Sequence, residues 1–360
     1  MNQQSVAEAY ALKVSKKQGE MAIRLAARLG LLDKRLRIVK ENDFLLIPLV
    51  QKPLQNQVDE FCKSLVGFKT VVQKFAVQSH PPKTALELAA ESLSPHLVSF
   101  FPRSIDFVGE IAIIEVPSEL NDFRNLVGEV ILKAHRNVRT VLAKTGAVEG
   151  VCRLRQYEVI AGQHQTETVH REHRCKFFLD IEKVYFSPRL SHERFRVASQ
   201  VKEKETVVDM FAGVGPFSIL IAKMCKDVKV YAVDVNPDAV RYLEKNVVAN
   251  NALGKVVPIL GDVRKVVKEK LRGAADRVIM NLPETAVEYV DVACESLKPQ
   301  GGILHYYEFT KGPDALSSAK KHLTGALSGA GRSVLKFLAA KIVREVAPFK
   351  WQIVLDAIVR

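Results

Sequence analysis

A chain of 360 residues with 48% hydrophobic and 26% charged side chains is too long for one minimal core and too apolar for wholesale disorder, so two or three globular domains are expected. No apolar run approaches the roughly 18 residues that a membrane helix needs. Five scattered cysteines (Cys62, Cys152, Cys175, Cys225 and Cys294) exclude a disulfide framework and a zinc cluster, and point to reduced thiols. Fifty-three basic residues against forty acidic ones leave a net charge of +13, which favours a polyanionic partner such as nucleic acid. Within 151–200, seven of the nine basic residues are arginine, whose forked donors suit phosphates and base edges.

In chain order, the apolar spacing predicts a helix over 20–31 and strands over 37–39 and 44–50, with Glu41, Asn42 and Asp43 as the turn. Residues 51–82 mix polar and apolar signals and end in Ser79-His80-Pro81-Pro82, a stiff non-helical break. A first domain over 1–78 follows. The next segment, 83–172, reads as helices over 84–93 and 120–135, with a β-branched strand over 110–115 inside 105–116 and further strands over 140–143, 150–159 and 166–169. That is an α+β module with a mostly antiparallel sheet. From 173 to 360, strands over 177–181 and 184–186 precede a Pro188-Arg189 turn and a helix near Ser191. Apolar strands over 207–210, 228–233, 256–260 and 277–280 then alternate with helices over 217–224, 237–250, 263–271 and 286–297, as in a doubly wound, largely parallel sheet. The tail, with a strand over 302–309, a helix over 315–327 and a strand over 351–358, closes that sheet with an antiparallel pair.

The ends of those parallel strands carry a ligand motif. Asp209, Met210, Phe211, Ala212, Gly213, Val214 and Gly215 join the first strand to its helix, and two glycines one residue apart let backbone approach a ligand at a helix N-terminus. Asp234 ends the second strand, where a carboxylate can accept from a ribose diol. Alone, these features fit a dinucleotide or S-adenosylmethionine. The dinucleotide fingerprint wants glycine where Ser218 stands, and Pro216 disturbs its turn. Asp262 closes the third strand, followed by Val263. The fourth ends in Asn281-Leu282-Pro283, aiming an amide into the switch-point crevice. S-adenosylmethionine is the expected cofactor.

Joined phrases carry a further signal: Leu179-Asp180-Ile181, the run from Lys183 through Tyr185 to Leu190, Glu193-Arg194, the Asp209–Phe217 loop, Asp234-Val235-Asn236-Pro237, the run from Val278 to Pro283, His305-Tyr306-Tyr307, and the ending from Ala347 to Asp356. Together they resemble the archaeal and eukaryotic type of tRNA (guanine-37-N1)-methyltransferase, closely over about 173–360 and more loosely before. The resemblance implies a C-terminal Rossmann-like class I methyltransferase domain preceded by two smaller α+β domains. The first of those would read the tRNA elbow; the second and third would hold the anticodon stem-loop. It implies cofactor contacts at Arg194, Asp234, Val235, Asp262, Val263 and Asn281, added to Asp209, Phe211, Gly213, Gly215 and Pro283 of the motif. It also implies that Tyr185 packs near an extruded guanine, that Arg153 meets O6, and that Glu193 takes the N1 proton beside Asn281. A cytoplasmic monomer is expected, since the N-terminus lacks a charged-then-apolar export pattern. His192 stands where glycine is common, and Cys152 precedes Arg153 where an aromatic can occur.

Guanine N1 carries hydrogen at neutral pH, so a carboxylate must remove it while negative charge grows toward O6. That task suits a general base and an electrostatic stabiliser. The bland alternatives are Glu193 as a helix-start residue paired with Arg194 or Arg196, and Arg153 as a phosphate contact. Within the superfamily the alternative is a wybutosine-pathway transferase, moving an aminocarboxypropyl group or methylating a tricyclic guanosine derivative; Asn281-Leu282-Pro283 argues against the former. A non-catalytic RNA chaperone is the rival from another class. His170, His173 and Cys175 lie close in sequence, but no fourth ligand joins them, so no metal is expected.

Overall fold

The computed structural model describes residues 6–77, 84–150 and 153–360, with backbone alone over 147–149. The Ser79–Pro82 break and Cys152 lie outside the described residues. The chain forms two compact units, Met1–Leu88 and Ala89–Arg360.

In the first unit, β1 (Val6–Ser15), β2 (Val39–Glu41), β3 (Phe44–Leu49) and β4 (Lys69–Ala76) form an antiparallel sheet in the order β2-β3-β1-β4. The helices Gly19–Arg28 and Gln55–Ser64 belong to the same unit, and Leu12, Ala22, Leu25, Ile47 and Phe61 share one core. Strand β1 was not expected, although Ala11 and Leu12 are fully buried. The stretch 51–77, read as mixed, holds a helix and β4.

The second unit begins with β5 (Asp106–Val108), β6 (Ile111–Ile114), β7 (Thr140–Glu149) and β8 (Leu154–Gly162), paired in that order. The expected strand over 110–115 is β6, and a turn at Gly109 joins it to β5, which was not expected. That glycine has φ +57°, and a Cβ there would stand 2.8 Å from the Val169 carbonyl oxygen. β6 and β7 are parallel, linked across the helix Arg124–Ala134, while the other pairs are antiparallel. An antiparallel ribbon, β9 (Glu167–Glu172) with β10 (Cys175–Asp180), straddles the expected boundary at 172/173. The outer edge of β10 is satisfied by side-chain amides: Phe178 N donates to Asn246 Oδ1 at 2.7 Å and Lys176 N to Asn250 Oδ1 at 2.8 Å. No strand forms over 184–186.

The large sheet joins β11 (Thr206–Asp209), β12 (Lys229–Asp234), β13 (Val256–Leu260), β14 (Arg277–Met280), β15 (Gly302–Lys311), β16 (Val334–Ala347) and β17 (Lys350–Val359) in the order β13-β12-β11-β14-β15-β17-β16. It is parallel through β15, and β17 and β16 close it antiparallel. Near-continuous apolar strands fit a sheet covered on both faces. Val207 packs with Phe217, Ile219 and Leu243 on one side, while its neighbour Val208 packs with Val290, Leu323 and Leu327 on the other. The order reverses between β11 and β14, so their carboxyl ends open the switch-point crevice where ligands of such sheets bind. The fourteen-residue edge strand β16 was not expected.

Candidate functional site

Loops after β11, β12, β13 and β14 converge on one cleft, open to solvent at its mouth. Phe211 and Gly213 come from the first loop, Asp234 and Val235 from the second, Asp262 and Val263 from the third, and Asn281 and Pro283 from the fourth; Arg153 and Tyr185 reach it from outside the sheet. Gly213 takes φ +55°, and a Cβ there would find only the Tyr185 carbonyl oxygen, at 3.7 Å, so the glycine serves its turn and keeps the wall open. The Asp234 carboxylate accepts from Gly213 N at 2.6 Å and from Asn236 N at 2.9 Å, locking two loops together, and burial pushes its pKa up. Asp262 caps the next helix by accepting from Arg264 N at 2.8 Å. Phe211 meets Tyr289 edge to face, with ring centroids 5.1 Å apart.

Asn281 Oδ1 is buried without a protein partner among the described residues. An acceptor left bare beside a cleft costs free energy unless a ligand donor fills it. Carboxylates at Asp234 and Asp262, a glycine turn and this orphan acceptor match the donor groups of S-adenosylmethionine, so the residues fit the expected cofactor.

Four expected residues are absent from the cleft wall. Asp209 is 1% exposed and accepts from Ser218 Oγ at 2.7 Å, beneath the loop; burial raises its pKa to about 7. Gly215, at φ +86°, faces the core, where a Cβ would stand 2.3 Å from Leu243 Cδ1. Arg194 is buried, forking onto Glu172 at 2.8 and 2.9 Å and donating to the Ser187 carbonyl at 2.7 Å, with its guanidinium 4.7 Å from the Phe186 ring. It braces the β9–β10 ribbon in this structure. Glu193 is 4% exposed and held by Arg196, Tyr307 and Lys341. Burial alone would push its carboxyl up, yet those donors outweigh it and hold the pKa below the ordinary range.

Arg153 has φ +55°, which turns its side chain over the Tyr185 ring at 5.4 Å. Its guanidinium pairs with Glu284 at 2.9 and 3.2 Å. Arg153 and Tyr185 also line an adjoining cleft rich in cations, among them Lys144, Arg155, Arg189, Arg344 and Lys350. Arg189 is fixed there by its fork on Asp106 at 2.6 and 3.1 Å, and burial lowers the Lys144 pKa. One apolar-walled cleft thus opens onto one basic cleft, with an aromatic and an arginine at the junction. The pairing of Glu193 with Arg196, weighed above as the bland alternative, is present, while sequence reasoning gave no site role to Glu284 or Arg344. Only Glu284 left a signal, directly after Asn281-Leu282-Pro283. Of the residues weighed as a metal site, His170 accepts from Gly109 N at 3.3 Å, and His173 Nε2 lies 2.9 Å from Ser191 Oγ. No cluster able to hold a metal ion occurs among the described residues.

A family model described as the TRM5/TYW2 methyltransferase domain matches residues 168–327. Models of the TYW2 N-terminal domain and the tRNA methyltransferase 5 N-terminal domain match 85–166 and 11–55. The tRNA (guanine(37)-N(1))-methyltransferase Trm5b of Pyrococcus abyssi is 40% identical over 346 residues, covering 96% of this chain and 98% of its own. Its crystal structure superposes with a TM-score of 0.70 at 39% identity, covering 98% of this chain and 99% of that one. A complex of aTrm5 with tRNALeu gives a TM-score of 0.68 at 31% identity, covering 97% and 99%. The tRNA 4-demethylwyosine(37)-methyltransferase Taw21 of Saccharolobus solfataricus is 40% identical over 259 residues, covering 71% of this chain and 93% of its own.

Proposed function

This chain belongs to the TRM5/TYW2 methyltransferase family, and on that premise we propose that it transfers the methyl group of S-adenosylmethionine to N1 of guanosine 37 in tRNA. The observation that carries the reading is the junction of the two clefts. A cleft lined by the strand-end loops, with an orphan Asn281 acceptor, opens at Arg153 and Tyr185 onto a basic cleft suited to an RNA backbone. When bound, S-adenosylmethionine supplies an electrophilic methyl on a sulfonium. Asp234, Val235, Asp262, Val263 and Asn281 hold it, while Asp209, Gly215 and Arg194 support the loops and ribbon around it.

The target base leaves its stack, at a cost of a few kcal/mol, and packs against Tyr185. Glu193, held ionised by its donors, takes the proton from N1, and Arg153 exchanges Glu284 for O6 as charge develops there. The first segment, 1–78, engages the tRNA elbow; the segments 83–172 and 173–360 hold the anticodon stem-loop. Such a role fits the cytoplasm.

Incubation of the purified protein with labelled donor and tRNA transcripts bearing G37 or A37 tests the reading, with N1-methylguanosine expected from the former alone. Glu193→Gln is expected to lower single-turnover methylation at least about 10²-fold with little change in tRNA affinity. Equal loss of both would make Glu193 structural. A second reading, methylation of a tricyclic G37 derivative, is favoured by the identity to Taw21 over 71% of this chain. Product from tRNA carrying 4-demethylwyosine, and none from unmodified G37, would select it.

A further inference from the structure

Glu193 sits at the end of a buried chain of charges that its expected role does not explain. It lies in the first turn of the helix Ser191–Ala198. Its Oε1 accepts from Arg196 Nε at 3.0 Å, from Arg196 Nη2 at 2.6 Å and from Tyr307 Oη at 2.8 Å. The Arg196 guanidinium is itself gripped from behind: Nη1 and Nη2 both donate to the Asp356 carboxylate, the latter at 3.1 Å. Asp356, on β17, is fully buried and stands 2.6 Å from His305 Nδ1 on β15. Arg277 Nη1, on β14, lies 2.8 Å from His305 Nε2, so that nitrogen accepts, and Nδ1 carries the hydrogen donated to Asp356. Glu205 closes the line, accepting from Arg277 Nε at 2.7 Å.

The two oxygens of Glu193 are therefore unlike. Oε1 is saturated by donors on packed groups; Tyr307 is fully buried, and Arg196, one-fifth exposed, is clamped at both ends. Oε2 shares Arg196 Nε at 3.0 Å and, among the described residues, otherwise meets only Lys341 Nζ at 3.2 Å. Lys341 lies on the edge strand β16, and its side chain is 44% exposed, so this partner can swing away at small cost.

We propose that Arg196, anchored by Asp356 and His305 and joined by Tyr307, is a positioning residue that fixes Oε1 of Glu193 and leaves Oε2, once Lys341 moves aside, as the oxygen that receives the N1 proton. The proposal rests on Glu193 being the base. The proton passes from N1 to Oε2, the N1 electron pair forms the bond to the methyl carbon, and the carbon–sulfur bond breaks with its pair on sulfur. Glu193 then releases the proton to solvent. Arg196, Tyr307, Lys341 and, through Arg196, Asp356 and His305 are the charged and titratable groups facing this carboxylate. Burial keeps Tyr307 protonated and a donor, and keeps His305 neutral against the pull of Asp356.

Two variants separate charge from geometry. Tyr307→Phe removes one donor from Oε1. It is expected to move the Glu193 titration, followed in the free protein by NMR of carbon-13-labelled glutamate, up by about one unit, with the acid limb of the single-turnover rate moving alike. Arg196→Lys keeps the charge and loses the fork. The plateau rate is expected to fall about 10- to 10²-fold while tRNA affinity holds. An unmoved titration in Tyr307→Phe, or an unchanged plateau in Arg196→Lys, would overturn the proposal; should Arg196→Lys melt early, the Tyr307→Phe titration decides alone. Full activity in Glu193→Gln would instead sink the base assignment itself.

Discussion

Replacing Asp209 by asparagine should make stability less sensitive to pH. Asp209 is 1% exposed; Oδ2 accepts from Ser218 Oγ, and the Asp234 carboxylate lies close enough to repel a second charge. Burial, reinforced by Asp234 and opposed by Ser218, raises its pKa to about 7, against about 3.9 in an unfolded chain. Between those values the folded state keeps the proton and the unfolded state has lost it, so this group's contribution falls as pH rises, by 1.36 kcal/mol per unit. Full ionisation, reached above pH ~7, costs about 4 kcal/mol as an upper bound. Asparagine has the same shape, accepts from Ser218 and never ionises. The melting temperature of Asp209→Asn relative to the parent should therefore rise from pH 5 to about pH 7 and level off by pH 8. Groups that titrate elsewhere cancel in the difference. A gap of the same size at both ends would refute the assignment of a protonated, desolvated acid beneath the glycine loop.

Glu284→Ala removes the partner that occupies Arg153. Since Glu284 is half exposed, the pair contributes no more than about 1 kcal/mol, and tRNA dissociation constants should fall about 2- to 5-fold. Weaker binding would assign Glu284 to the substrate itself. Gly215→Ala forces a side chain into φ +86° and against Leu243. A loss of about 2–3 kcal/mol in denaturation is expected, and a loss below 0.5 kcal/mol would show that the core yields there.

What could be read along the chain was what repeats or sits at fixed spacing. The alternation of apolar strands and helices after 200 gave the doubly wound sheet almost to the residue, with β13 and β14 matched at both ends, because the strands of such a sheet are short apolar runs and central ones such as β14 are buried throughout. The strand-end positions Asp234, Asp262 and Asn281 follow from the same logic and line one cleft. Strand β1 and the edge strand β16 escaped notice. In β16 exposed and half-buried residues mix, and register shifts break its alternation against β17. Strand β5 and the turn at Gly109 were not read either; the close packing that leaves no room for a Cβ at Gly109 comes from Thr168 and Val169, about sixty residues away.

Local order along the chain thus determined the class of the sheet, the donor loop and the acids at its strand tips, since each depends on neighbours within one strand–turn–helix unit. Only the tertiary structure decided that Arg194 braces a ribbon, that Asp209 lies under the loop, and that Glu193 hangs on Arg196, Tyr307 and Lys341. The last arrangement joins one helix to strands more than a hundred residues onward. A carboxylate's proton affinity is set by the charges and donors that surround it in space, and no spacing in the sequence records those distances.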